Sequence, residues 1–121
     1  FSGEVGRLAP DGTLTTQMLA PGVNAITFSP DGRLFVALDF MGDGLYELDP
    51  ALQQPPRRII GELGFLNAMD FGPDGLLYGP IVMQGRVVRI DVDDPGVLRD
   101  VDTPQDLCGS GVRSIFGDGL R

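Results

Sequence analysis

The sequence contains the same thirteen-residue pattern twice, and the two copies are separated by a constant distance. Residues 24–36 read NAITFSPDGRLFV, and residues 67–79 read NAMDFGPDGLLYG. Each matched position, from the asparagine to the Pro-Asp-Gly triplet, lies 43 residues after its counterpart. A fixed period of this length is typical of repeat architectures, in which each repeat forms one small unit of secondary structure.

Each copy of the pattern predicts a β-hairpin. The mixed apolar run at residues 23–28 is typical of a strand buried on both faces. In the turn that follows, proline presets φ, aspartate bonds to the local backbone, and glycine adopts a positive φ, which we expect for Gly32 and Gly75. The remaining strands are predicted at residues 33–39, 44–49, 57–63, 66–72, 76–80, 86–92 and 97–102.

Four antiparallel strands in a unit of this length form the blade of a β-propeller, so we predict an all-β fold. The chain then divides into four parts. Residues 1–20 are the outer strands of a preceding blade, 21–63 and 64–103 are two blades, and 104–121 are the degenerate start of a further blade. Closed propellers carry four to eight blades, so we expect missing blades or other copies of the chain to complete the ring.

The composition excludes several classes of site. The chain has no histidine and a single cysteine, Cys108, so it contains no Ser-His-Asp triad, no His- or Cys-rich zinc site and no internal disulfide. A net charge of −8 argues against a nucleic-acid partner. No apolar run is long enough to span a membrane. The chain begins at Phe1, which leaves room for an upstream segment, so its localisation is unassigned.

The residue that opens the innermost strand of a blade can point into the mouth of the central channel. This residue is Asn24 in the first copy and Asn67 in the second. Amide oxygens that converge with a carboxylate suit a hard cation such as calcium. An asparagine at this position can instead cap the turn by bonding to local backbone, and the sequence leaves both interpretations open.

The stretches GVNAITFSPDGRLFVALD and GFLNAMDFGPDGLLYGP resemble the family of senescence marker protein, gluconolactonase and luciferin-regenerating enzyme. The resemblance covers residues 22–102. The segment SPDGRLFV is also similar to NHL-repeat, strictosidine-synthase-like and streptogramin-lyase propellers. The paired Asn-Ala step favours the lactonase group.

This resemblance implies a calcium-dependent hydrolysis of a lactone-type ester in the complete ring. In the family the asparagine at this position contacts the metal or the substrate, so the resemblance implies that Asn24 and Asn67 are ligands of calcium or another divalent cation, or contacts of the substrate. It also implies that the partner is a small-molecule lactone. Asp70 is the candidate general base, since it closely follows Asn67. Its counterpart in the first copy is Thr27, so the strand itself does not require a carboxylate there.

Two features leave this predicted cation site incomplete within one chain. The family also uses an acidic ligand from an early blade and an aspartate from a late one, and neither is found here. Glu4 belongs to a predicted third strand, and Arg113 occupies the place of the third asparagine, where it would repel a cation. We therefore expect little calcium affinity and no lactonase activity from the isolated monomer.

The alternative function is a non-catalytic propeller unit that binds other chains or assembles with copies of itself. A cation that binds the native state would raise the melting temperature, which distinguishes the two functions. Asp39 and Asp43 lie in the predicted loop between the second and third strands, where ligand contacts are possible, but a solvated turn is the preferred interpretation. The segment DVDDPG at residues 91–96 is interpreted as a turn.

Overall fold

The computed structural model describes residues 3–94 and the backbone of residues 98–100. The described residues form strands and one short 3₁₀ turn at Val82–Gln84. The strands are β1 (Glu4–Leu8), β2 (Leu14–Met18), β3 (Val23–Phe28), β4 (Leu34–Leu38), β5 (Gly44–Leu48), β6 (Arg57–Ile60), β7 (Asp70–Phe71), β8 (Leu77–Ile81), β9 (Arg86–Ile90) and β10 (Leu98–Asp100).

The strands form two four-stranded antiparallel sheets and one hairpin. The first sheet has the order β3-β4-β5-β6 and the second β7-β8-β9-β10, so neighbours in the chain are neighbours in the sheet. Strands β1 and β2 form the hairpin. The prediction of an all-β fold made of propeller blades, in part of a ring, is confirmed. The residue boundaries of the four parts stay a prediction, and residues 104–121 lie outside the described part of the chain.

The two Pro-Asp-Gly turns have the predicted backbone conformation. Gly32 has φ 88° and Gly75 has φ 81°. Each closes its turn by donating its N–H to a carbonyl three residues earlier, at 2.9 Å to Ser29 and 3.0 Å to Gly72. Proline and aspartate fix the approach to the turn, and glycine supplies the left-handed residue at its end.

Apolar side chains fill the spaces on both sides of the first blade. Strand β4 is fully buried, and alternate residues point to opposite faces. One face joins a cluster with the β1–β2 hairpin, and the other joins a cluster with the second blade. The first cluster contains Val5, Leu34, Val36, Leu48 and Leu52. The second includes Phe35, Ala37, Leu45, Leu66, Leu77, Ile81, Val88 and Ile90.

The expectation that the innermost strand is buried on both faces was wrong. Strand β3 leaves Ile26 and Phe28 more than half exposed, while β4 is the strand that both clusters cover. No inner strand in the described part of the chain covers this face of β3, whereas Phe35 of β4 covers the equivalent Phe71 of the second blade.

Both innermost strands contain a register shift of one residue near the asparagine. In the first blade Val23 pairs with Leu38, but Ala25 pairs with Ala37, so Asn24 is the extra residue. In the second blade the shift lies between Leu66, which pairs with Ile81, and Asp70, which pairs with Tyr78. A β-bulge of this kind bends the strand and redirects a side chain, and bulges are enriched beside functional sites.

The second innermost strand is shorter than the predicted range of residues 66–72. Strand β7 covers only Asp70–Phe71, preceded by the isolated bridge at Leu66. Pro80 stands where the first blade has Ala37, and it has no N–H to donate to the ladder. The bulge accommodates this proline in an inner strand, because the ladder is already interrupted opposite it.

Candidate functional site

Three polar residues meet at one end of the two blades. Strands β3 and β7 begin at this end, and β4 finishes there, so Asn24, Asn67 and Asp39 are brought to the same edge. The bulges direct the two asparagines toward each other across the boundary between the blades. This end is the predicted channel mouth.

The amide of Asn24 lies at the centre of this group, which we call the mouth cluster. Its Nδ2 donates to Asn67 Oδ1 at 2.6 Å, to the Asn67 carbonyl oxygen at 3.2 Å and to Asp39 Oδ2 at 3.3 Å. An amide nitrogen carries only two hydrogens, so three acceptors compete for two donors. The acceptor oxygens that face this nitrogen therefore outnumber its hydrogens.

Asp39 supplies the negative charge of the mouth cluster. Its side chain is 2% exposed, and its Oδ1 has no hydrogen-bond partner among the described residues. Three ion pairs are found in the described part of the chain, and none includes Asp39. The prediction of a solvated turn at this position was wrong. A buried carboxylate oxygen without a donor is costly, and it points to a missing cationic or hydrogen-bonding partner.

The position of Asp39 depends on a close approach between two backbone segments. Its N–H donates to the carbonyl of Gly22 at 2.7 Å. Gly22 has φ 98°, and a Cβ atom there would lie 2.6 Å from the Asp39 carbonyl oxygen. Only glycine permits this contact, which locks the end of β4 against the start of β3.

Asp43 holds the connection that delivers Asn67 to the cluster. Its carboxylate accepts the backbone N–H groups of Leu63 (2.9 Å), Gly64 (2.9 Å) and Phe65 (3.2 Å). These residues link the rim of the first blade to the innermost strand of the second. Asp43 is therefore a positioning residue, and the prediction that it lies in a solvated turn was also wrong.

An apolar surface adjoins the mouth cluster. The rings of Phe40 and Phe65 pack with centroids 5.8 Å apart, and Phe40 and Met41 are exposed. Both phenylalanines have positive φ, 61° and 69°, which is unusual for bulky residues and is found most often at functional sites. A groove of about 240 Å³ lies here, and its lining residues are Gly22, Val23, Asn24, Asp39, Phe40 and Met41.

The described hydrogen bonds do not connect Asp70, the candidate base, to the mouth cluster. Its side chain is exposed, and its Oδ1 accepts the N–H of Phe71 at 2.9 Å. Glu4 lies in β1, and Arg113 lies outside the described residues. The roles predicted for Asn24, Asn67 and Asp70 stay predictions.

The charged network at the opposite end of the blades is structural. Glu47 accepts two hydrogen bonds from Arg33 at 2.9 Å and one from Arg57 at 2.6 Å. The Arg33 hydrogen bonds, followed by that from Arg57, lower the pKa of Glu47 to about 2. Arg33 also donates to Asp93 of the second blade at 2.9 Å, so the network joins the two blades.

The donor atoms of the mouth cluster are those that suit a divalent cation. No group of three or more His, Cys, Asp or Glu side chains is found in the residues that the structure describes. The cluster instead offers amide, main-chain and carboxylate oxygens, which are the donors that hard cations prefer. Its excess of acceptors and the unpartnered oxygen of Asp39 fit a cation, although the set is smaller than calcium requires.

Within the described residues, no helix has the length and hydrophobicity needed to cross a membrane.

The fold is similar to that of known lyase propellers. A catalytically inactive histidine-to-alanine variant of virginiamycin B lyase from Staphylococcus aureus, solved with quinupristin, matches with a TM-score of 0.68 and 15% identity over 85% of this chain. A streptogramin B lyase structure matches with the same TM-score and 18% identity. The chain spans about a third of the length of these propellers, 35% in both cases. No family model and no curated protein matches the chain.

Proposed function

We propose that this chain supplies two blades of a propeller hydrolase that binds a divalent cation and opens a lactone-type ester. The observation that carries the proposal is the mouth cluster, in which Asp39 and Asn67 direct three oxygens at one amide. No basic side chain pairs with Asp39 among the described residues. The surplus of negative and acceptor groups favours a cation.

Asp39, Asn67 and Asn24 would hold the cation. Rotation about the terminal torsion of Asn24 would turn its amide oxygen, in place of its nitrogen, toward the cation. The three oxygens that now share the hydrogens of this nitrogen would then face the cation. Calcium takes six to eight oxygens, so water and residues of other blades would complete the shell. The bound cation would polarise the carbonyl of the ester.

Asp70 remains the candidate for the base. Its exposed carboxylate, three residues after Asn67 in the chain, would accept a proton from the attacking water at Oδ2. The water oxygen forms a bond to the carbonyl carbon, the ring C–O bond breaks, and Asp70 passes the proton to the departing alkoxide oxygen, which becomes the hydroxyl of the product. The adjacent groove at Phe40 and Met41 would receive the apolar part of the substrate.

The second candidate is a non-catalytic unit that binds other polypeptides. The exposed apolar side chains of Ile26 and Phe28 favour it, because such residues are usually covered when they lie together on one sheet face.

A hydrolysis assay over a range of chain concentrations tests the proposal. We expect opening of gluconolactone only with CaCl₂ and only where the chain has assembled, with loss of activity in Asp39→Asn and Asp70→Asn. The exposed Asp94→Asn has the same change of charge and serves as the control, which should keep full activity. Absence of hydrolysis from a folded and assembled protein would favour the binding unit.

A further inference from the structure

The β1–β2 hairpin packs against the first blade as the outer half of a preceding blade would. Val5 of β1 is buried with Leu34, Val36 and Leu48 of that blade. Strand β5, the third strand of the first blade, pairs with β4 on one side and β6 on the other. Strand β1 pairs only with β2 among the described residues, so its inner edge presents free backbone N–H and C=O groups.

An apolar groove lies between this free edge and the innermost strand of the first blade. Ile26 is 53% exposed and Phe28 is 57% exposed, and both lie on the face of β3 that is turned toward β1. The groove has a volume of about 290 Å³. Its lining includes Val5, Gly6, Ile26, Phe28 and Leu34.

The second blade shows what covers the equivalent residues. Met69 and Phe71 lie 43 residues after Ile26 and Phe28, and both are partly buried in the cluster between the two blades. The ring of Phe71 packs on that of Phe35, with centroids 5.4 Å apart. Phe35 lies on β4, so an inner strand of the preceding blade provides the cover.

We propose that the groove is the docking site for a β-hairpin that supplies the two inner strands of the preceding blade. One strand of the hairpin pairs antiparallel with the free edge of β1, as β4 pairs with β5. An aromatic residue of that strand packs on Phe28, as Phe35 packs on Phe71. The partner is therefore a hairpin of this same repeat, with a continuous apolar second strand after a Pro-Asp-Gly turn.

A synthetic peptide with the sequence of residues 21–39 is the probe, because it contains both inner strands and the phenylalanine at position 35. The fluorescently labelled peptide is titrated with the full chain, and its anisotropy is followed. We expect saturable binding that weakens at least tenfold for the chain variant Phe28→Asp. The variant Met83→Asp changes an apolar residue of the second blade that is also more than half exposed, and it should bind as the wild type does.

A matched peptide tests the aromatic contact. The peptide with Phe35→Ser keeps the turn and the strand pattern, so its binding should be weakened by a similar factor. Circular dichroism of both chain variants establishes that they remain folded. Equal binding to wild type and Phe28→Asp would overturn the proposal. So would absence of peptide binding, including the case in which the chain associates with itself through Phe28 but leaves the peptide free.

Discussion

The side chains of Asn24 and Asn67 are joined by a hydrogen bond of 2.6 Å between equivalent positions of two neighbouring blades. Asn24 is the extra residue of a register shift in its innermost strand, and Asn67 lies in the stretch between Leu66 and Asp70 where the second blade has the equivalent shift. The repeat places both side chains at the same end of neighbouring blades. Two identical residues thus form one contact, to which Asp39 adds a buried carboxylate.

The substitution Asn67→Asp should lower the melting temperature without calcium and enlarge the rise in melting temperature that calcium causes. Without calcium, the new carboxylate lies near Asp39, so the melting temperature should fall below that of the wild type. With calcium, the additional charge strengthens the site, so the calcium-induced rise in melting temperature should exceed that of the wild type. Thermal unfolding with and without CaCl₂ measures both. If CaCl₂ does not change the melting temperature of Asn67→Asp, the assignment of the mouth cluster as a calcium site is contradicted.

Replacing Asp43 by alanine should destabilise the junction between the blades. Three backbone N–H groups would lose their acceptor, and each unsatisfied donor that stays buried costs about 1–3 kcal/mol. We expect a total loss of about 2 kcal/mol, since water can reach part of this connection. Urea denaturation measures the free energy of unfolding, and the exposed Asp94→Ala is the control. A loss no larger than that of the control would show that the connection does not need Asp43.

The ion pair of Glu47 should make stability depend on acid pH. Hydrogen bonds from Arg33 lower the pKa of Glu47 in the folded state from 4.5 to about 2. The folded state therefore binds this proton less readily than the unfolded state does. The stabilisation is fully present above about pH 4.5 and is lost as the pH falls toward 2.

The variant Glu47→Gln should make the free energy of unfolding depend less on pH between about pH 4.5 and 2. Its loss of stability relative to the wild type should be on the order of 1 kcal/mol at pH 6, because the pair is partly solvated, and it should vanish near pH 2. Urea denaturation at several pH values provides the measurement, with the exposed Glu62→Gln as the control. An unchanged pH dependence in Glu47→Gln would assign the acid sensitivity to other carboxylates.

Replacing Gly75 by valine should cost on the order of 1 kcal/mol or more through the backbone alone. Gly75 has φ 81°, and a Cβ atom there would meet nothing within 4 Å. The cost would therefore come from the left-handed backbone conformation, because the added Cβ atom would clash with no neighbour. Gly6→Val is the control, since Gly6 lies in a strand and its Cβ would make only ordinary contacts. Equal free energies of unfolding in the two variants would contradict this explanation.

The repeat predicted the strand order and the turns, because both depend on local residue types that recur at a fixed period. It did not predict the role of Asp39. The residue 43 positions later is Val82, so comparison of the copies gave no signal there. Strand direction was the available clue, since the end of β4 and the start of β3 lie together in any antiparallel pair.

Burial at the channel mouth depends on how neighbouring blades meet, which local patterns do not encode. Asp39 lies buried against the start of β3, where its backbone bonds to Gly22, and Asp43 is partly buried because the connection from the rim bonds to its carboxylate. The short β7 has a local cause in Pro80, but its effect is visible only once the partner strand is known. The sequence could therefore identify Asn24 and Asn67 as candidates without revealing their contact.

Calorimetric titration of the monomeric chain with CaCl₂ tests the central claim most directly. With one carboxylate and a few neutral oxygens, the account predicts weak binding with a Kd on the order of 1 mM. It predicts loss of this binding in Asp39→Asn and its retention in Asp94→Asn. An Asp39→Asn variant that binds calcium as well as the wild type would contradict the assignment of the mouth cluster. Micromolar binding that Asn67→Ala abolishes would show that the site is complete within one chain.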